Sequence, residues 1–174
     1  IEPLAAQQFY KSDTTVHFSR LGVVDIKLDA GSLAQFEMGE QLSAAQKLCD
    51  ARVDAVVWGG TSSSWLGFER DEEYRKLIEQ ETGISVTTCV LEMNRKVASL
   101  GARRIAMVTP YTDDVHNRIL DNYEGLGFPR PTGQNLGGIV SNDFASISPN
   151  TLEDMILNVA KGVPDVIMIM CTNL

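Results

Sequence analysis

One repeated order constrains the fold more than any other feature: a short apolar run, then a longer segment with helical spacing, several times over. Val53–Trp58 is apolar apart from Asp54 and stops at Gly59-Gly60; Arg104–Thr109 and Asp165–Met170 read the same way. Each has the length of a strand. Between them, Glu69–Thr82 ends at Gly83, a C-terminal helix stop, and Asp113–Leu126 follows Thr112, a candidate N-cap. A further helix runs from Ser148-Pro149 to near Gly162, with Pro where the first turn tolerates it. Leu33, Phe36, Leu42, Ala45 and Leu48 predict one helix over Ser32–Arg52, and alternation predicts a strand over Thr14–Phe18. Ile84–Val86 is a short strand, Thr87 or Thr88 caps a helix to Leu100, and the Gly-, Pro- and Ser-rich stretch Gly127–Ser148 holds one weak strand near Asn135–Val140.

Strands alternating with helices predict parallel β/α/β units, and strands this apolar predict helices over both faces. The expected fold is α/β: two pseudo-symmetric lobes, each a parallel sheet flanked by helices, with the site in the cleft between them. The lobes are expected over residues 1–87 and 88–174. In such sheets ligands sit beyond the carboxyl ends of the strands, so the residues after each strand carry the chemistry.

Composition narrows the class. A net charge of -8 disfavours nucleic acid and anionic membrane surfaces as partners. No apolar run approaches the ~20 residues of a membrane helix, and the opening IEPLAAQQFY lacks the order of a signal peptide. Cys49, Cys89 and Cys171 are odd in number and far apart, which is no disulfide framework and no zinc spacing; a reducing cytoplasm fits. No metal or cofactor is expected. A homo-oligomer is left open.

Two strand ends resemble each other. Asp54-Ala55-Val56-Val57-Trp58-Gly59-Gly60-Thr61-Ser62 and Asp165-Val166-Ile167-Met168-Ile169-Met170-Cys171-Thr172-Asn173 each run from Asp through an apolar strand to a small residue, Thr and a small polar residue. Ordinary turn and cap chemistry would also use such residues. The functional alternative is that two facing tips grip a carboxylate with backbone N–H groups while the Cys171 thiol gives or takes a proton on the carbon between them. A thiol at a helix N-terminus would have a lowered pKa.

Gly60-Thr61-Ser62, Thr109-Pro110-Tyr111 and Cys171-Thr172-Asn173-Leu174 resemble the aspartate/glutamate racemase superfamily, in the branch of maleate cis-trans isomerases and arylmalonate decarboxylases. The resemblance extends from Glu2-Pro3 through His17-Phe18-Ser19-Arg20, Glu81-Thr82-Gly83 and Leu100–Ala106 to Leu174. Against the family pattern, a first strand and several final elements are expected beyond the given sequence. The racemases and maleate isomerases carry a cysteine at each tip, whereas the first tip here is Gly60, as in the decarboxylases.

The resemblance implies that Cys171 is the proton donor and that Gly60, Thr61, Ser62, Tyr111, Asn142, Thr172 and Asn173 bind a small carboxylate. Each has a plainer alternative: a core cysteine for Cys171, helix capping for Thr61 and Ser62, loop packing for Tyr111, a turn for Asn142. Cys49 and Cys89 are read as structural, and His17 and His116 as structural or surface residues. The implied activity is cofactor-independent decarboxylation of a malonate-like diacid. Isomerization or racemization, and non-catalytic carboxylate binding, are the alternatives.

Overall fold

The computed structural model describes residues 2–10 and 12–174. Its helices are α1 (Glu2–Phe9), α2 (Ala30–Ala34), α3 (Met38–Cys49), α4 (Ser63–Leu66), α5 (Glu69–Thr82), α6 (Cys89–Ser99), α7 (Asp113–Gly125) and α8 (Pro149–Ala160). They flank two parallel sheets. In one, β1 (Ala55–Trp58) pairs with β2 (Ser85–Thr88), Trp58 opposite Thr88. In the other, β3 (Ile105–Tyr111) lies between β4 (Thr132–Gly138) and β5 (Val166–Ile169), with Val108 opposite Ile169.

Local chemistry explains several boundaries. Thr88 Oγ1 accepts from Leu91 N at 3.1 Å and opens α6; Ser148 Oγ accepts from Thr151 N at 3.1 Å and opens α8, with Pro149 at its first position. Thr112 does not cap α7; its hydroxyl turns to Asp114 instead.

Three expectations are corrected. Thr14–Phe18 is not a strand: alternation without a partner leaves it irregular. The helix expected over Ser32–Arg52 is two helices, because Gln35 and Phe36 are drawn into tertiary contacts. Gln35 accepts from Val24 N at 2.6 Å and donates to Asp25 O at 2.9 Å, while Phe36 is buried edge-on to Trp65, centroids 5.9 Å apart. Coverage of both strand faces holds only for β3, buried at every residue; Val57 on β1 is 58% exposed and Ile169 on β5 is 39% exposed.

The weak strand is shifted to Thr132–Gly138, and β3 runs two residues past Thr109. Pro110 has no N–H to give to a neighbour. The register slips there: Thr109 faces Asn135 but Tyr111 faces Gly138, with Gly137 at a φ of 74° taking the left-handed turn. This bulge sets where Tyr111 leaves the strand. Val24–Ile26 lies against the end of β4, Ile26 N donating to Ile139 O at 2.9 Å and Ser141 N to Val24 O at 2.8 Å. One core cluster includes Phe36, Trp65, Met107, Tyr111, Tyr123 and Met170; Val56 and Val86 of the first sheet belong to a second, and half-buried Trp58 packs against both. Among the described residues no helix is long and apolar enough to cross a membrane.

Candidate active site

Parallel strands deliver their carboxyl ends to one side of each sheet. Gly60 and Thr61 follow β1, Tyr111 ends β3, and Cys171 lies two residues past β5. Tyr111 joins the sheets: its phenol and the Thr61 hydroxyl are 3.1 Å apart, and both residues are buried, 2% and 5% exposed. Trp65 meets the Tyr111 ring edge-on at 5.0 Å, and Phe144 meets it at 5.6 Å. The Tyr111 carbonyl accepts from Asn135 Nδ2 at 3.0 Å. Tyr111 ends a strand rather than lying in a loop, and both its packing on Trp65 and Phe144 and its bond to Thr61 are present.

Cys171 is half-buried. Burial pushes its thiol pKa up, opposed by the Asn173 N–H, the Tyr111 phenol and the Leu174 N–H, which favour the thiolate. The expected lowering is therefore corrected: desolvation by burial outweighs the donors. Tyr111 is held well above its ordinary value, first by burial and then by the nearby Cys171. The site thus pairs two neutral acids, a thiol and a phenol, at neutral pH.

Ser62 is buried with helical backbone angles and caps nothing through its side chain. With Ser63, Gln41, Arg70 and Asp71 it lines a cavity of about 10 Å³, room for roughly one water. Thr172 is half-buried. Asn173 donates to Ser141 O at 3.2 Å and is 3.0 Å from Ser141 Oγ, so its amide ties the Cys171 turn to the segment Ser141–Ser146. Asn142 lies beside that tie with an exposed side chain. Pro110 and Phe144 also border an open apolar groove of about 280 Å³ with Leu136, Ile139, Val140 and Ile147.

The other singled-out residues fall elsewhere. Cys49 is half-buried, its thiol on Ala45 O at 3.3 Å. Cys89 opens α6 with its sulfur 3.7 Å from Met93 Sδ, its pKa raised by burial and by Asp71. His17 is exposed and on no strand, whereas His116 is buried with Nδ1 2.9 Å from Thr109 Oγ1.

Two features escape sequence reasoning. Asp71 is buried at 3% exposure and accepts from Ser63 Oγ at 2.7 Å and from the Thr88 hydroxyl, binding α4 to the tip of β2. In the acidic first turn of α5, nothing distinguishes it from Glu69 and Glu72. The other is a pair of indoles, Trp58 and Trp65, whose buried Nε1 atoms have no hydrogen-bond partner among the described residues. Trp58 reads as the last apolar residue of a strand, which hides its place two residues before Gly60.

Comparison with known proteins adds the following. A family model described as arylmalonate decarboxylase matches residues 3–174. No curated protein matches. The fold is similar to maleate cis-trans isomerase of Nocardia farcinica bound to TRIS, with a TM-score of 0.82 at 14% identity over 92% of this chain and 67% of that one. It is similar to the maleate isomerase Iso of Pseudomonas putida S16, with a TM-score of 0.79 at 23% identity over 92% of this chain and 66% of that one. It is also similar to a liganded arylmalonate decarboxylase carrying a glycine-to-cysteine and a cysteine-to-serine exchange, with a TM-score of 0.78 at 22% identity over 88% of this chain and 66% of that one. The chain thus spans just under two thirds of the last two relatives, and likeness at these identities concerns the fold.

Proposed function

The chain belongs to the arylmalonate decarboxylase family, and from that premise we propose that it decarboxylates a malonate-like diacid without a cofactor, with Cys171 as the proton donor. The observation that carries this reading is the meeting of Thr61 and Tyr111 beside Cys171, with Gly60 in place of a second thiol.

One substrate carboxylate is held by the hydroxyls of Thr61, Ser62 and Tyr111 and by the N–H of Thr172. The second carboxylate faces apolar side chains, where its charge is poorly solvated. Its C–C bond breaks, CO2 leaves, and the electron pair passes into the retained carboxylate as an enediolate. The developing charge falls on donors already in place, each worth roughly 2.7–4 kcal/mol. Cys171 then transfers its S–H proton to carbon, and the resulting thiolate recovers a proton from water. A thiol kept protonated by burial suits this step better than nucleophilic addition, which needs the thiolate. Gly60 can supply neither acid nor base, which argues against two-base exchange.

The test is NMR of phenylmalonate turnover in deuterated water. The expected result is CO2 release with one deuteron placed in one configuration, abolished by Cys171→Ala. Full turnover by that variant, or proton exchange without CO2 release, sinks the proposal.

A further inference from the structure

We propose that Trp58 is a substrate-contacting residue that walls the site over Gly60 and donates its indole N–H to the bound carboxylate. Two independent observations support it. A β-carbon placed on Gly60 would lie 2.7 Å from Trp58 Cε2, nearer still to Cζ2, and 3.1 Å from Cη2. The ring therefore covers the space that any side chain at position 60 would need. These three atoms belong to the benzene half of the indole, and Nε1 is bonded to the second nearest of them, Cε2. That N–H is buried and meets no acceptor among the described residues, and a buried donor without a partner is destabilising unless something satisfies it.

The ring is also held in place. Trp58 packs against the cores of both sheets, with Tyr74 at a centroid distance of 6.4 Å. A fixed donor next to Thr61 fits an anion better than a neutral ligand, because a carboxylate oxygen accepts several N–H and O–H groups at once. The covered tip also bears on stereochemistry. With an indole over Gly60, a carbon held beside Thr61 is shielded on that side and open toward Cys171. The glycine is then required by the tryptophan, and the two act as a unit.

This inference rests on the carboxylate-binding reading, and the experiment separates the two. The chain has two tryptophans, so a ¹⁵N-labelled sample shows two indole resonances, and Trp58→Phe assigns them. Adding phenylmalonate or malonate to the wild-type protein is expected to shift the Trp58 indole resonance together with the Thr61 and Ser62 amides. Shifts at those amides with the Trp58 indole unmoved overturn this inference alone. No shift at any of them overturns the carboxylate reading and this inference with it. In kinetics, Trp58→Phe is expected to lower kcat/KM roughly ten- to hundredfold, with kcat falling as well because the donor serves the carboxylate on which charge develops. Gly60→Ala is expected to displace the indole and lower kcat/KM similarly. If Gly60→Ala leaves both the indole resonance and kcat/KM at wild-type values, Trp58 is not seated over the tip.

Discussion

Replacing Tyr111 by phenylalanine removes one oxygen from the point where the two sheets meet. The ring remains, so its edge contacts with Trp65 at 5.0 Å and Phe144 at 5.6 Å remain too. What is lost is the 3.1 Å bond to a Thr61 hydroxyl that is 5% exposed. Leaving that group unsatisfied costs about 1–3 kcal/mol of folding stability. The kinetic loss is expected to be larger, about 10²- to 10³-fold in kcat, since a preorganised donor to the developing carboxylate charge has gone. A third effect separates chemistry from packing. The phenol favours the Cys171 thiolate, so without it the thiol pKa moves up and the alkaline limb of the kcat profile moves with it. The assay is CO2 release from phenylmalonate against pH, beside urea denaturation. Turnover by Tyr111→Phe within about threefold of wild type, with an unmoved alkaline limb, would refute the donor role.

For the wild-type protein, kcat is expected to stay level through neutral pH and fall only as pH climbs beyond the ordinary thiol range, since the active form is the protonated one and its pKa is raised; a fall below pH 7 in the same assay would contradict this. Gly133→Ala would push a β-carbon to 2.5 Å from His116 Nε2 and 3.0 Å from Met107 O, so urea denaturation should show a loss of about 1–3 kcal/mol, with KM unchanged because the contact lies away from the strand tips. Asp165, held at a pKa of about 2 by the N–H groups of Arg104 and Arg103 and by the Arg104 guanidinium, favours folding above the ordinary carboxylate pKa and loses that contribution as pH falls toward 2. Asp165→Asn should therefore flatten the acid limb of stability between about pH 4 and 2, measured by thermal melts.

The strand–helix order was legible because burial and cap chemistry are local. Thr88 and Ser148 open their helices with their own side chains. What was not legible depends on partners distant in sequence. Nothing near Gln35 announces that Val24 and Asp25 will claim its amide and break a helix. Thr14–Phe18 has the pattern of a strand, but pairing requires a neighbour that pattern does not supply. At the site, motif position brought out Thr61, Tyr111 and Cys171, whereas the sign of the Cys171 shift follows from burial against residues distant in sequence, which no local pattern announces. Trp58 was invisible because its role lies in the space over a residue with no side chain.

The bulge at Pro110 places Tyr111 at the end of a strand buried along its whole length. Amide exchange should be slowest there, close to the limit set by global unfolding. The phenol thus sits on the most protected part of the molecule, while Asn142 is an exposed residue of a segment anchored by buried Ser141 and Phe144. Exchange should therefore be faster at the exposed residues 142 and 143 than along β3, while Ser141 and Phe144 keep their segment packed against Tyr111.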